Sequence, residues 1–120
     1  MRTCLLLALA VALAACGGGG GDFPPESGVD PSLTVSALAT TDLDTLCEWS
    51  TDAEGGAGHV AHCGDFDVTT NTVAMCVANL EMWTCPTTVA EYEACVNATE
   101  GDGCRLLTEE ACGFFFECSP

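Results

Sequence analysis

The chain has 120 residues, ten of them cysteine, and sets two Lys and Arg against eighteen Asp and Glu for a formal charge of −16. A surface this acidic repels phosphates and anionic headgroups, which excludes nucleic-acid binding and electrostatic attachment to a membrane. The acids are scattered among periodic apolar positions and cysteines, so the composition reads as the solvated face of a folded domain and not as a disordered polyanion.

In chain order, residues 1–16 carry one positive charge at Arg2, eleven apolar residues from Leu5 to Ala15, and then Cys16. As a helix that run is about 16 Å long, short of the roughly 30 Å hydrocarbon core, and it suits a signal-peptide core instead. Leu13, Ala14, Ala15 and Cys16 resemble a bacterial lipobox, an aliphatic and two small residues ahead of a cysteine. The resemblance implies cleavage after residue 15, a diacylglycerol on the Cys16 sulfur and an acyl chain on its new amino group. It implies no other cofactor. Two or three chains, at about 0.8 kcal/mol per buried methylene, anchor stably where one chain is marginal.

The resemblance places the chain in the bacterial cell envelope, with the membrane as a partner through the lipid. Gly17 stands where some lipoproteins carry a retaining aspartate, which points to the outer membrane and leaves the leaflet undetermined. Removing residues 1–15 leaves eighteen acids against Arg105 alone, a formal charge of −17.

Residues 16–32, from Cys16 through GGGGGDFPPESGVDPS, read as the lipidated cysteine and a Gly/Pro-rich tether. Coil statistics for about fifteen residues give an end-to-end distance of roughly 20 Å. Residues 33–120 form the acidic cysteine-rich domain. In it, Thr41 and Asp44 take N-cap and N3 positions of a helix with Leu43, Leu46 and Cys47 on one face, ended by Gly55-Gly56. HVAHC and FDVTT flank Gly64-Asp65 as a hairpin with a glycine-first two-residue turn.

Asn71 caps a helix whose inner face is Val73, Cys76, Val77 and Leu80, and a break follows at residues 84–86. Thr88 and Glu91 make a capping box for a helix with Val89, Tyr92, Cys95 and Val96 inside, ended by Gly101 and Gly103. Thr108 opens a last helix through EEACGFFFEC. The fold class is therefore small, disulfide-rich and mainly α, with three to four short helices, one short β-hairpin and four disulfides.

Cys47, Cys63, Cys76, Cys85, Cys95, Cys104, Cys112 and Cys118 supply those bridges. An even number in a small exported chain marks a disulfide framework, and gaps of 15, 12, 8, 9, 8, 7 and 5 residues contain neither a zinc pair nor a redox C-x-x-C. On the order of a hundred pairings exist, and sequence does not choose among them. An antiparallel pairing of residues 72–83 with 89–98 sets Cys76 level with Cys95, which favours that bridge and then Cys85 to Cys118. Cys85 to Cys104 is disfavoured, because about 15 Å of helix lies between them.

The arrangement LCEW, HVAHC, CVANL, VAEYEACV and LLTEEAC, over residues 41–118, is similar to that of small cysteine-rich lipoproteins of bacterial genomes. This resemblance implies location and style of fold, not an activity. Plant lipid-transfer proteins share the cysteine number, but their adjacent and alternate cysteine pairs are missing here.

His59 and His62 form H-x-x-H, yet positions three apart on a strand point to opposite faces and do not chelate. Asp65 and Asp67 open a calcium-loop likeness that fails at Thr70 and Cys76, where glycine and glutamate are required. Phe114, Phe115 and Phe116 span roughly 200° of a helix, wider than one core stripe, so a spare ring, with Trp83, is the candidate partner surface. No catalytic, metal or cofactor-binding residues are assigned. The expected role is non-catalytic: binding a protein or glycan, or coating the surface. The alternative is an anchored inhibitor or immunity-type domain that presents residues 99–107 to a hydrolase.

Overall fold

The computed structural model describes residues 24–118, so the expected signal peptide, Cys16 and the glycine run lie outside the described residues. Helix α1 is Thr40–Ala53, strands β1 and β2 are Val60–His62 and Asp67–Thr69, and helices α2, α3 and α4 are Val73–Glu81, Val89–Thr99 and Phe114–Cys118. Tight 3-10 turns occupy Val35–Ala37, Gly103–Leu107 and Glu110–Cys112. Four helices, one two-stranded antiparallel hairpin and four disulfides make the small, mainly α, disulfide-rich fold the sequence leads one to expect.

Helix α1 is central, because its inner stripe of Leu43, Leu46, Cys47 and Ser50 is wide enough to receive both α2 and α3. Leu80 and Cys76 come from α2, and Val89, Tyr92 and Val96 from α3. The hairpin pairs Val60 with Thr69 and His62 with Asp67, and Gly64 turns it at φ +84°. Asp65 keeps a negative φ, so the turn has the glycine-first geometry that matches strand twist. Gly103 lies against this hairpin: a Cβ there would stand 3.0 Å from the Val68 side chain. Its lack of a side chain lets the Gly103–Leu107 turn close on the strands, where Cys104 bridges Cys63.

The capping box forms at α3, where the Thr88 hydroxyl accepts the Glu91 amide at 3.2 Å. Thr88→Ala is expected to cost about 1 kcal/mol, read as a lower guanidinium midpoint with unchanged slope. The other helix starts differ from expectation. Thr72, not Asn71, caps α2 by accepting the Met75 amide at 3.2 Å. Helix α1 begins at Thr40, with Thr41 inside it, because the Ala39 carbonyl accepts both the Asp42 and Leu43 amides at 3.0 Å. The last helix is split at Gly113 into the Glu110–Cys112 turn and α4.

Residues 24–32 were expected to lie in a tether. Residues 24–32 belong to the domain rather than leading to it. The Pro24 carbonyl accepts the Trp49 indole N–H at 2.8 Å, the Pro25 carbonyl accepts from the Asn97 side chain at 2.7 Å, and the Ser27 amide donates to the buried Glu93 carboxylate. Val29 is buried in the core. Further on, the Val89 amide donates to the Leu33 carbonyl and the Val35 amide to that of Thr87, which fastens the entry of α3 to the leading segment.

The bridges are Cys47–Cys76, Cys63–Cys104, Cys85–Cys118 and Cys95–Cys112. Cys85 to Cys118 is as expected; Cys76 to Cys95 is not. Equal distance from a turn sets two residues at one level, but a bridge also needs facing sides. Cys76 faces α1, and Cys95 faces the Glu110–Cys112 turn that packs on α3.

Candidate functional site

The aromatic residues gather at one end of the core. Trp83, just past α2, meets Tyr92, Phe114 and Phe115 edge-on with ring centroids 6.0, 5.8 and 5.4 Å away. Phe114 and Phe115 stack on each other at 4.7 Å. Such pairs add about 0.5 to 1.5 kcal/mol each beyond burial, so this is a rigid hub. The expected partner surface is thereby divided. Trp83 is 6% exposed and belongs to the core, Phe114 and Phe115 are half-buried against it, and Phe116 at 65% exposure is the spare ring.

Beside this hub a groove opens in two adjoining cavities of about 340 and 230 Å³, which share Asn71, Cys76, Tyr92, Leu106 and Phe115 as lining. The larger is walled by Leu80, Met82 and Trp83 and is largely apolar. The smaller reaches Ser50, Thr51, Glu54, Thr70 and Thr99, which set a few polar groups in a lining that is otherwise apolar. An apolar concavity ending in a few convergent polar groups is the usual form of a small-ligand site.

Glu54 is the charged group of that polar end. It caps the C-terminus of α1, and the Thr70 hydroxyl donates to its backbone carbonyl at 3.0 Å, which ties the helix end to the strand exit. Its carboxylate receives no hydrogen bond from the described residues, and burial alone pushes its pKa up to about 7. Across the cavity the buried Tyr92 hydroxyl donates to Ser50 Oγ at 3.3 Å, and Ser50 donates to the Cys47 carbonyl at 3.3 Å. Burial, and secondarily the charge of Glu54, hold the Tyr92 phenol protonated well above its ordinary range.

Among the described residues, no cation answers Glu54. Arg105, the sole Lys or Arg among the described residues, pairs with Glu100 at 3.2 Å and with Glu109 one helical turn on. His62 Nδ1 lies 2.8 Å from Asp67 on the exposed hairpin, and His59 lies against the backbone of Gly55. The two histidines and Asp65 stay on the hairpin side, and no group of three or more metal-ligating side chains occurs among the described residues.

Sequence reasoning placed Tyr92 inside but passed over Ser50 and Glu54. A signal was present. Leu43, Leu46, Cys47 and Ser50 mark the inner stripe of α1, and Glu54 lies seven residues after Cys47 on the same stripe, an acid where an apolar residue is the norm. No family model, no curated protein and no solved structure matches this chain.

Proposed function

We propose that this chain is a lipid-anchored protein of the bacterial cell envelope, held by acylated Cys16, with a disulfide-stapled acidic domain in a non-catalytic binding role. The groove between α1, α2, α3 and the Gly103–Leu107 turn is its binding surface. The observation that carries the reading is the closed set of bridges. The eight domain cysteines pair among themselves, as suits an oxidising compartment, and leave the sulfur of Cys16 to the lipid.

Docking of residues 24–29 gives the anchor a short reach. Seven residues, 17–23, separate Cys16 from Pro24, and fully extended they cover about 25 Å. The domain therefore rides close to the outer membrane, with the Trp49 and Asn97 side nearest the anchor. Ser50 and Glu54 sit about 100° to 140° around α1 from Trp49, and Tyr92 about 140° around α3 from Asn97, which turns the groove away from the anchored side.

A binding role fits the groove's hydroxyls, because Ser50 and Tyr92 are engaged with the Cys47 carbonyl and with each other. The inhibitor alternative has less support. Of residues 99–107, the Gly103–Leu107 turn packs on the hairpin and α3 and is stapled to Cys63 through Cys104, which leaves less of the segment to present.

Cys16→Ser tests the anchor by membrane fractionation and intact mass. The wild-type chain is expected in the membrane fraction, starting at residue 16, heavier by a diacylglycerol and an acyl chain and lighter by eight thiol hydrogens. The variant is expected to carry no lipid mass and to keep residues 1–15. A variant with the same lipid mass as wild type, or a wild-type mature chain starting elsewhere without lipid, overturns the reading.

A further inference from the structure

We propose that the groove binds an organic ammonium ion with an apolar body, the ammonium against the Glu54 carboxylate and the body along Phe115, Leu106 and Trp83. This rests on the groove being the domain's binding surface and names the ligand class that fits it.

The charge argument comes first. A carboxylate that lines a cavity without a hydrogen-bond donor or cation from the described residues is incompletely solvated, and a ligand N–H restores what burial removes. Arg105 is not available for that task, since it already holds Glu100 and Glu109. The net charge of −16 draws cations towards the groove and turns away anions of the same shape.

Shape sets the rest of the ligand. Phe115 and Tyr92 line both cavities, so a ligand with its head at Glu54 extends past these rings into the apolar 340 Å³ space beside Trp83 and Leu80. Aromatic faces beside an ammonium add cation–π attraction, which a neutral or anionic head does not gain. The Ser50 and Tyr92 hydroxyls are donors already in use, so they offer a ligand acceptor lone pairs and again favour a donor head.

The test is calorimetric titration, at pH 8, of the full chain with its four disulfides formed, using three probes that share one ring: phenethylamine, 2-phenylethanol and phenylacetate. Phenethylamine is expected to bind at least about tenfold tighter than the alcohol, with phenylacetate weakest. Glu54→Gln is expected to reduce the amine to the affinity of the alcohol and leave the alcohol unchanged. Equal binding of amine and alcohol, or undiminished amine binding by the variant, overturns the ammonium assignment while the groove remains a binding surface. No heat from any probe at about 10 mM overturns both.

Discussion

Removing the Cys47–Cys76 bridge by a paired Cys47→Ala, Cys76→Ala change is expected to destabilise the protein by about 4 to 5 kcal/mol, more than removing Cys63–Cys104 in the same way. Loop entropy alone predicts the reverse. The Cys47–Cys76 bridge spans 29 residues and the Cys63–Cys104 bridge 41, which translates to about 3.5 and 4 kcal/mol of constraint on the unfolded chain. Packing reverses the order. Cys47 and Cys76 are buried where α1 meets α2 and touch the Ser50–Tyr92 pair, so alanines there leave a void in the core. Cys63 and Cys104 are half-exposed at the hairpin, where the surroundings close over a lost sulfur. Guanidinium unfolding of the two double variants under non-reducing conditions measures the order directly. A larger loss at Cys63–Cys104 means that loop entropy, not packing, governs these bridges.

Glu54→Gln is expected to stabilise the protein at pH 8 by about 2 to 3 kcal/mol and to change little at pH 4. In the unfolded chain this carboxyl titrates near 4.5, and in the folded protein burial raises it to about 7. Between those values the folded state holds a proton that the unfolded state has released, so stability falls as pH rises from about 4.5 to 7 and is level above. Tyr92 across the cavity stays protonated throughout this window. Unfolding curves of wild type and variant at pH 4, 6 and 8 should converge at the lowest pH and separate with rising pH. Parallel curves would remove the buried carboxylate from the account.

Much of the local structure was legible because its causes are local. The glycine-first turn at Gly64-Asp65 needs a positive φ at one residue, and glycine supplies it there. The Thr88–Glu91 box closes within one turn, and the inner faces of α2 and α3 repeat at helical spacing. The candidate site was less legible. Tyr92 was read as an inner residue, but what it faces depends on Ser50, 42 positions earlier.

The leading segment shows why the domain boundary escaped. Val29 is one apolar residue among glycine, aspartate and proline, a composition that reads as tether. Its place in the core follows from side chains far along the chain, Trp49 and Asn97, which donate to the carbonyls of Pro24 and Pro25 across 25 and 72 positions. Backbone carbonyls carry no sequence signature, so such contacts are invisible until the helices are placed.

By itself, then, the sequence determined the helices and hairpin, the number of bridges and the sign of the surface, because propensity, capping, turn chemistry, cysteine count and charge act over a few residues or sum over all of them. Only the tertiary structure decided which cysteines join, that residues 24–32 pack on the helices, which phenylalanine is left outside, and that Glu54 lines the polar end of a groove. Those depend on which faces meet, and helices that share a level in the chain do not thereby share a side.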